Sequence, residues 1–265
     1  MLGANPSLIQ PGPARQTIRT PLVLIHDGSG LIFSYFWLGP LGRAVYGIYN
    51  PNFESGGNWE GGLRQMAQAY VPLIKSVVPS GKVLIGGWSL GGLLALEIAH
   101  LLAQDDDVAV SGLLLLDTAY PKFNTADEIT TRDHFELPSS SPNASLGLQV
   151  QEAFRNARRM IDEWDPPTWG DKDILPRPAI LLKATDYVLG QGEEVATVDI
   201  ARQTQRLGWD EYQHKFIRVV LSIAGHHFNI FAEDKVRYDP IRMCDGRTFK
   251  VSFTEKEVTP GPGVY

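Results

Sequence analysis

Apolar residues along this chain fall into two patterns. Short unbroken runs, PLVLIHD (21–27), RAVYGIYN (43–50), KVLIGG (82–87), SGLLLLD (111–117), RPAILLKA (177–184) and HKFIRVVLSIAG (214–225), form the first. Longer stretches such as WEGGLRQMAQAYVPLIKSVV (59–78) and LGGLLALEIAHLLAQ (90–104), with apolar positions at helical spacing, form the second. A run without polar alternation offers no face to water, so each reads as a strand covered on both sides. Strands and helices taken in turn predict an α/β fold, a mostly parallel sheet with helices on both faces.

The regularity breaks after Asp117. From residue 120 to about 176 the pattern holds no convincing core strand, only polar turns and one amphipathic segment, LQVQEAFRNARRMIDEW (148–164). There Val150, Phe154, Ala157, Ile161 and Trp164 recur every three or four residues and share one helical face. An insertion of this size inside a compact domain predicts a lid or binding subdomain. The Pro/Gly-rich ends, 1–16 and 257–265, read as a loose leader and tail. The expected organisation is a leader at 1–19, one catalytic-type domain at 20–245 carrying the insertion, and a tail at 246–265.

Composition narrows the function classes. The chain has 265 residues, 43% hydrophobic and 20% charged, enough for one large domain with a full core. A net charge of −6 and the lack of a basic stripe exclude a general nucleic-acid binder. A single cysteine, Cys244, leaves no internal disulfide or Cys-rich metal site to propose. No stretch approaches the roughly 20 apolar residues of a membrane span, and the first residues lack a secretory pattern. The expectation is a cytoplasmic protein that uses no cofactor and no metal and does not associate with membranes.

Candidate chemistry enters at Gly87-Trp88-Ser89-Leu90-Gly91, a G-x-S-x-G motif where a predicted strand becomes a predicted helix. That context is the one a nucleophile elbow requires: glycines where backbones approach, and a serine thrust out over the helix N-terminus, whose N–H groups favour developing negative charge. A strand–glycine–helix turn with a capping serine is the bland alternative. A serine hydroxyl needs a base and an orienting acid, which in this architecture follow in the order acid, histidine. Asp117 ends its apolar strand 28 residues beyond Ser89, although a plain turn aspartate fits there too. His226 and His227 follow the last strand, and only one of them can be the base.

These segments, IHDGSG, YGIYNP, GGWSLGGLLALEIA, the aspartate of LLLLDTAYP and GHHF, together with ILLKATD and RLGWDEY, resemble the type I thioesterase domains that end fungal polyketide and nonribosomal peptide synthases, or their free-standing relatives. The resemblance covers about residues 20–232 and implies an α/β-hydrolase fold. It places the nucleophile on Ser89, the acid on Asp117 and, through a Gly-x-His-Phe element, the base on His227, with His226 at a variable, substrate-facing position. It implies an oxyanion hole from the backbone N–H of Leu90 and of Asp27 or Gly28. One departure is visible: members commonly finish with a helix, whereas residues 248–253 alternate like a strand.

The implied activity is release of an acyl chain from a carrier-protein phosphopantetheine thioester, by hydrolysis or cyclisation. The amphipathic face predicts that Phe154, Ile161 and Trp164 line or cover an acyl pocket. Arg155, Arg158 and Arg159 stand outward, either docking an acidic carrier or pairing with Glu152, Asp162 and Glu163 on a solvated face. The rival readings are a carboxylesterase or lipase acting on oxygen esters, and a hydrolase fold reduced to a binding module.

Overall fold

The computed structural model describes residues 3–13, 19–123, 130–132, 144–170, 175–188 and 194–231. In chain order the elements are β1 (Ser7–Gln10), β2 (Leu22–Ile25), β3 (Val45–Ile48), α1 (Gly62–Val77), β4 (Gly81–Trp88), α2 (Leu90–Leu101), β5 (Val108–Leu116), β6 (Thr130–Arg132), α3 (Ala144–Glu163), β7 (Ala179–Ala184), β8 (Glu194–Ala196) and β9 (Ile217–Ile223). The six apolar runs are the six parallel strands of a seven-stranded sheet in the order β1-β3-β2-β4-β5-β7-β9.

The seventh strand corrects the sequence reading. Residues 7–10, expected to be loose, pair antiparallel with β3 at the sheet edge. SLIQ is too short and too polar to signal a buried strand, and an edge position asks for only one partner. A separate two-stranded parallel ladder joins β6 to β8, linking the insertion to the segment before β9. The alternation expected at 248–253 and the tail at 246–265 lie outside the described residues.

Side chains alternate across the sheet, so each strand feeds two cores. Val23, Ile25, Val83, Ile85, Leu113 and Leu115 face α1, α2 and the inner side of α3. Leu22, Leu24, Leu84, Leu116 and Leu182 face the opposite way, onto a 3-10 helix at Phe33–Trp37, through Tyr35, and onto Ile230. The helix α2 is buried at every position from Leu90 to Ala99, which explains why its sequence is apolar all round.

Parallel strands bring all their carboxyl ends to one edge. Trp88, the last residue of β4, lies opposite Leu116, the last of β5, and β7 and β9 end beside them. Asp27, Ser89, Asp117 and His227 all follow strand ends at that edge, where ligands bind in open α/β sheets.

Candidate active site

Ser89 sits in a conformation that few residues tolerate, with φ 54° and ψ −117°. The turn from β4 into α2 is held there by its neighbours. The Ser89 N–H donates to Leu116 O at 2.9 Å and Gly92 N–H donates to Ser89 O at 3.0 Å. A side-chain carbon on Gly87 would lie 2.5 Å from the Gly91 carbonyl carbon, and one on Gly91 would lie 2.6 Å from His26 O. Both glycines of the motif are therefore required by backbone contact. Strain of this kind persists only where the surroundings over-determine it.

Asp117 follows β5 with a positive φ of 44°. Its carboxylate is buried and fully engaged: Oδ2 accepts from His227 Nδ1 at 2.8 Å and from Arg202 Nη2 at 2.7 Å, while Oδ1 accepts from Arg202 Nη1 at 2.5 Å and from the Ala184 N–H at 2.8 Å. Burial alone would raise its pKa, but the His227 and Arg202 contacts outweigh it and hold the carboxyl well below the usual carboxylate range. An ionised carboxylate only accepts, so the bond to His227 fixes the proton on Nδ1 and leaves Nε2 as the basic nitrogen.

His227 and Ser89 line one cavity of about 480 Å³ together with Asp27, Gly28 and Leu90, and Trp88, Phe154, Ala157, Ile161 and Phe228 supply apolar wall. A smaller annex of about 130 Å³ extends it past Asp117 towards Tyr120 and Phe123. Leu90 opens α2, so its N–H has no intrahelical partner. Across from it, the β2 loop is set by its own side chains. Asp27 Oδ1 accepts from the Ser29 N–H at 2.9 Å and from Ser29 Oγ at 2.5 Å. The Asp27 carboxyl lies at the cavity wall with its pKa raised, chiefly by burial.

Comparisons with known proteins identify the family. The family model described as "Thioesterase domain" matches residues 20–238. The chain belongs to that thioesterase family. It is similar to the thioesterase frbD of Dothideomycetidae sp. (strain 11243), 39% identical with 97% of this chain and 96% of that one covered. It is also similar to the probable thioesterase BOA10 of Botryotinia fuckeliana (strain B05.10), 36% identical with 86% and 84% covered. Among solved structures, the NocB thioesterase domain in covalent complex with a fluorophosphonate nocardicin G analogue superposes with a TM-score of 0.63, at 25% identity, covering 85% of this chain and 93% of that one. This thioesterase is accordingly a serine hydrolase on the α/β-hydrolase fold.

Two expected residues of the thioesterase fall outside this cavity, Trp164 and His226. Trp164 does not reach the Ser89 cavity; it is buried just beyond α3, with its Nε1 donating to Glu97 Oε2 on α2 at 3.0 Å, and it borders a different groove. Its helical spacing marked it correctly as inward, but it packs at Glu97 on α2 and not at Ser89. His226 is likewise outside the cavity lining: its N–H donates to Asn229 Oδ1 at 2.7 Å and its Nδ1 accepts from the Phe228 N–H at 3.3 Å, bracing the turn that carries His227. Phe154 packs against Gly28, where a side-chain carbon would lie 2.9 Å from the ring.

The three arginines of α3 pair as a solvated face would. Arg155 meets Glu152, Arg158 Nε lies 2.9 Å from Asp162, and Arg159 Nη1 lies 2.9 Å from Glu163. Arg155 and Arg158 nevertheless border the cavity, so the face expected to point wholly outward forms part of its rim.

Three side chains escaped the sequence reading. Arg202 bridges Asp117 and Asp199, and Tyr35 spans two strand ends, donating to Ile25 O at 2.6 Å and accepting from the Trp88 N–H at 2.9 Å. His26 is buried at the end of β2, its Nδ1 2.6 Å from Asp27 O and its Nε2 2.6 Å from the Tyr70 hydroxyl. A carbonyl only accepts, so Nδ1 carries the proton and Nε2 accepts from Tyr70. Burial lowers this ring's pKa to about 4 and keeps it neutral. The Asp199-x-x-Arg202 spacing was the one available signal, and it is common on surfaces.

No helix of the described residues is long and apolar enough to cross a membrane.

Proposed function

We propose that this thioesterase releases an acyl chain from the phosphopantetheine thioester of a carrier protein, through an acyl-serine on Ser89. The observation that carries the reading is the buried Asp117–His227 hydrogen bond, with His227 and Ser89 lining one cavity. His227 Nε2 removes the hydroxyl proton as Ser89 Oγ attacks the thioester carbonyl, and Asp117 stabilises the imidazolium that forms. The carbonyl oxygen, now an anion, meets the backbone N–H groups of Leu90 and of Asp27 or Gly28. Losing one such donor typically costs about 3 to 4 kcal/mol of transition-state stabilisation. The C–S bond breaks, the imidazolium protonates the leaving thiolate, and the acyl group stays on Ser89. Water, deprotonated by His227, releases the acid; an internal nucleophile of the acyl chain would release a ring instead.

The apolar cavity wall suits an acyl chain, and the family's presence in fungal thioesterases supports a role in secondary metabolism. No metal or redox group is needed for any step.

The decisive experiment is labelling with a fluorophosphonate that carries an acyl tail. The parent will label stoichiometrically at Ser89, His227→Ala and Asp117→Asn will label at least about a hundredfold more slowly, and His226→Ala will stay within a few-fold of the parent. Labelling that survives in His227→Ala overturns the assignment of the base. Rates on matched thioester and oxygen-ester substrates then separate a thioesterase from a general esterase.

A further inference from the structure

The acid of the proposed triad is not held by the strand end alone. Arg202 is buried, and its guanidinium grips both oxygens of Asp117, Nη1 to Oδ1 at 2.5 Å and Nη2 to Oδ2 at 2.7 Å, while its Nε donates to Asp199 Oδ1 at 2.9 Å. Nη1 also donates to Ala184 O at 3.2 Å, at the end of β7. Asp199 is anchored in turn, its Oδ2 accepting from the Val188 N–H at 2.6 Å. A cation is thus shared between two buried carboxylates, one of which faces His227.

We propose that Arg202 is a positioning residue of this thioesterase, its fork aiming Asp117 Oδ2 at His227 Nδ1, and that Asp199 sets the charge His227 meets. The inference rests on Asp117 and His227 acting as acid and base. Two features separate it from ordinary structural pairing. First, a bidentate fork fixes the plane of the carboxylate, which a point charge or a single hydrogen bond would leave free to turn. Second, Asp117, Arg202 and Asp199 together carry one net negative charge. Without the arginine, two buried anions would repel, and one would take a proton. The same short segment also builds the cavity, since Thr197 and Val198 line it just before Asp199. Substrate wall and acid clamp are one piece of chain.

Other charged groups near the network are Lys183 on β7, which interacts with both Asp117 and Arg202, and Asp27, which faces His227 from the β2 loop. Neither touches the Arg202 fork, so variants at 199 and 202 report on the clamp.

The test measures kcat/KM against pH for Arg202→Lys and Asp199→Asn, with active sites counted by fluorophosphonate titration. Arg202→Lys keeps the charge and loses the fork. Its turnover per titrated site will fall about tenfold with the acid limb of the profile in place. Asp199→Asn removes one negative charge, so the imidazolium is less favoured and the acid limb will move to lower pH by roughly half a unit or more. A merely structural role would lower the melting temperature and the count of active sites while leaving per-site turnover and the limb untouched. That result, or a limb moving upward in Asp199→Asn, overturns the proposal. Should Arg202→Lys fail to fold, the limb in Asp199→Asn still decides. Asp117→Asn serves as the control. Parent-like turnover there would remove the acid itself, a failure of the functional reading that the clamp variants do not mimic.

Discussion

Two helices border the cavity, and they are held by different physics. The helix α2 is buried at every position over its first ten residues and meets β2 and β4 through bare backbone at Gly87 and Gly91. The helix α3 buries Ala157 and Met160 but turns a row of paired arginines and carboxylates outward. At the elbow, position is set by main-chain contacts that admit no extra atom. Along α3 it is set by side chains, many of them in water, each contributing little. A rigidly held Ser89 faces an adjustable wall, the arrangement the proposed function asks for if the chemistry is constant and the acyl chain is not.

The comparison breaks most sharply at Gly91. Gly91→Ala drives a methyl group into Ile25 O and His26 O, both main-chain atoms at the carboxyl end of β2. Neither can retreat without pulling β2 from β4. The expected loss is about 3 kcal/mol or more of unfolding free energy, or no soluble protein, measured by denaturant titration. An alanine scan of the exposed face of α3 should show nothing comparable. If Gly91→Ala folded with parent stability, the close approach at the elbow would not be what holds Ser89 in place.

That contrast also explains what the sequence could disclose. Glycines at 87 and 91 and an apolar run before them are residue identities, so the strand-to-helix turn at Ser89 and an aspartate at the end of β5 were readable. The edge strand β1 was not, because SLIQ pairs on one side only and carries no burial signature. Arg202 was not, because its partner Asp117 lies 85 residues away, and an arginine in VDIARQ looks like any surface arginine. Trp164 was read as inward, correctly, but periodicity reports a face and not which end of it reaches the site. Contacts made through local backbone leave a trace in the sequence; contacts between distant side chains leave almost none.

A pH titration of stability sharpens the same contrast. His26, wedged between Tyr70 and Asp27 O beneath the elbow, has its pKa lowered from 6.5 to about 4 by burial. The unfolded chain takes up this proton below about pH 6.5 while the folded chain refuses it until about pH 4. Stability from this residue is therefore full above pH 6.5 and declines as pH falls through that window. The decline reaches roughly 3 kcal/mol at pH 4. Asp117, with its pKa held low, acts below this window, its contribution being present above about pH 4 and lost only in stronger acid. Denaturation curves at pH 7 and pH 4.5 will show the drop in the parent and a smaller drop in His26→Gln. An equal drop in both would assign the effect to other groups.

The smallest effect is expected on α3, where it bears on the proposed carrier protein. Arg155, Arg158 and Arg159 each pair with a carboxylate three or four residues away, and every one of these side chains is well exposed. Such pairs contribute about 0.2 to 0.5 kcal/mol each, and like charges at the same spacing cost a similar amount. Reversing all three to glutamate places six carboxylates on one helix face. The summed loss of stability should still be only about 1 to 2 kcal/mol, less than the single methyl group at Gly91. Because Arg155 and Arg158 border the cavity mouth, the same variant tests whether the rim receives the phosphate-bearing arm of a carrier protein. Attraction of that kind acts on encounter and is screened by salt. The variant's kcat/KM on carrier-bound substrate should fall several-fold at low ionic strength, and the gap should close as salt approaches 0.5 M, where the Debye length shrinks to about 4 Å. A gap that persisted unchanged in high salt would point to a misshapen cavity wall. No gap at low salt would reduce the three arginines to surface ion pairs and move the docking site away from α3.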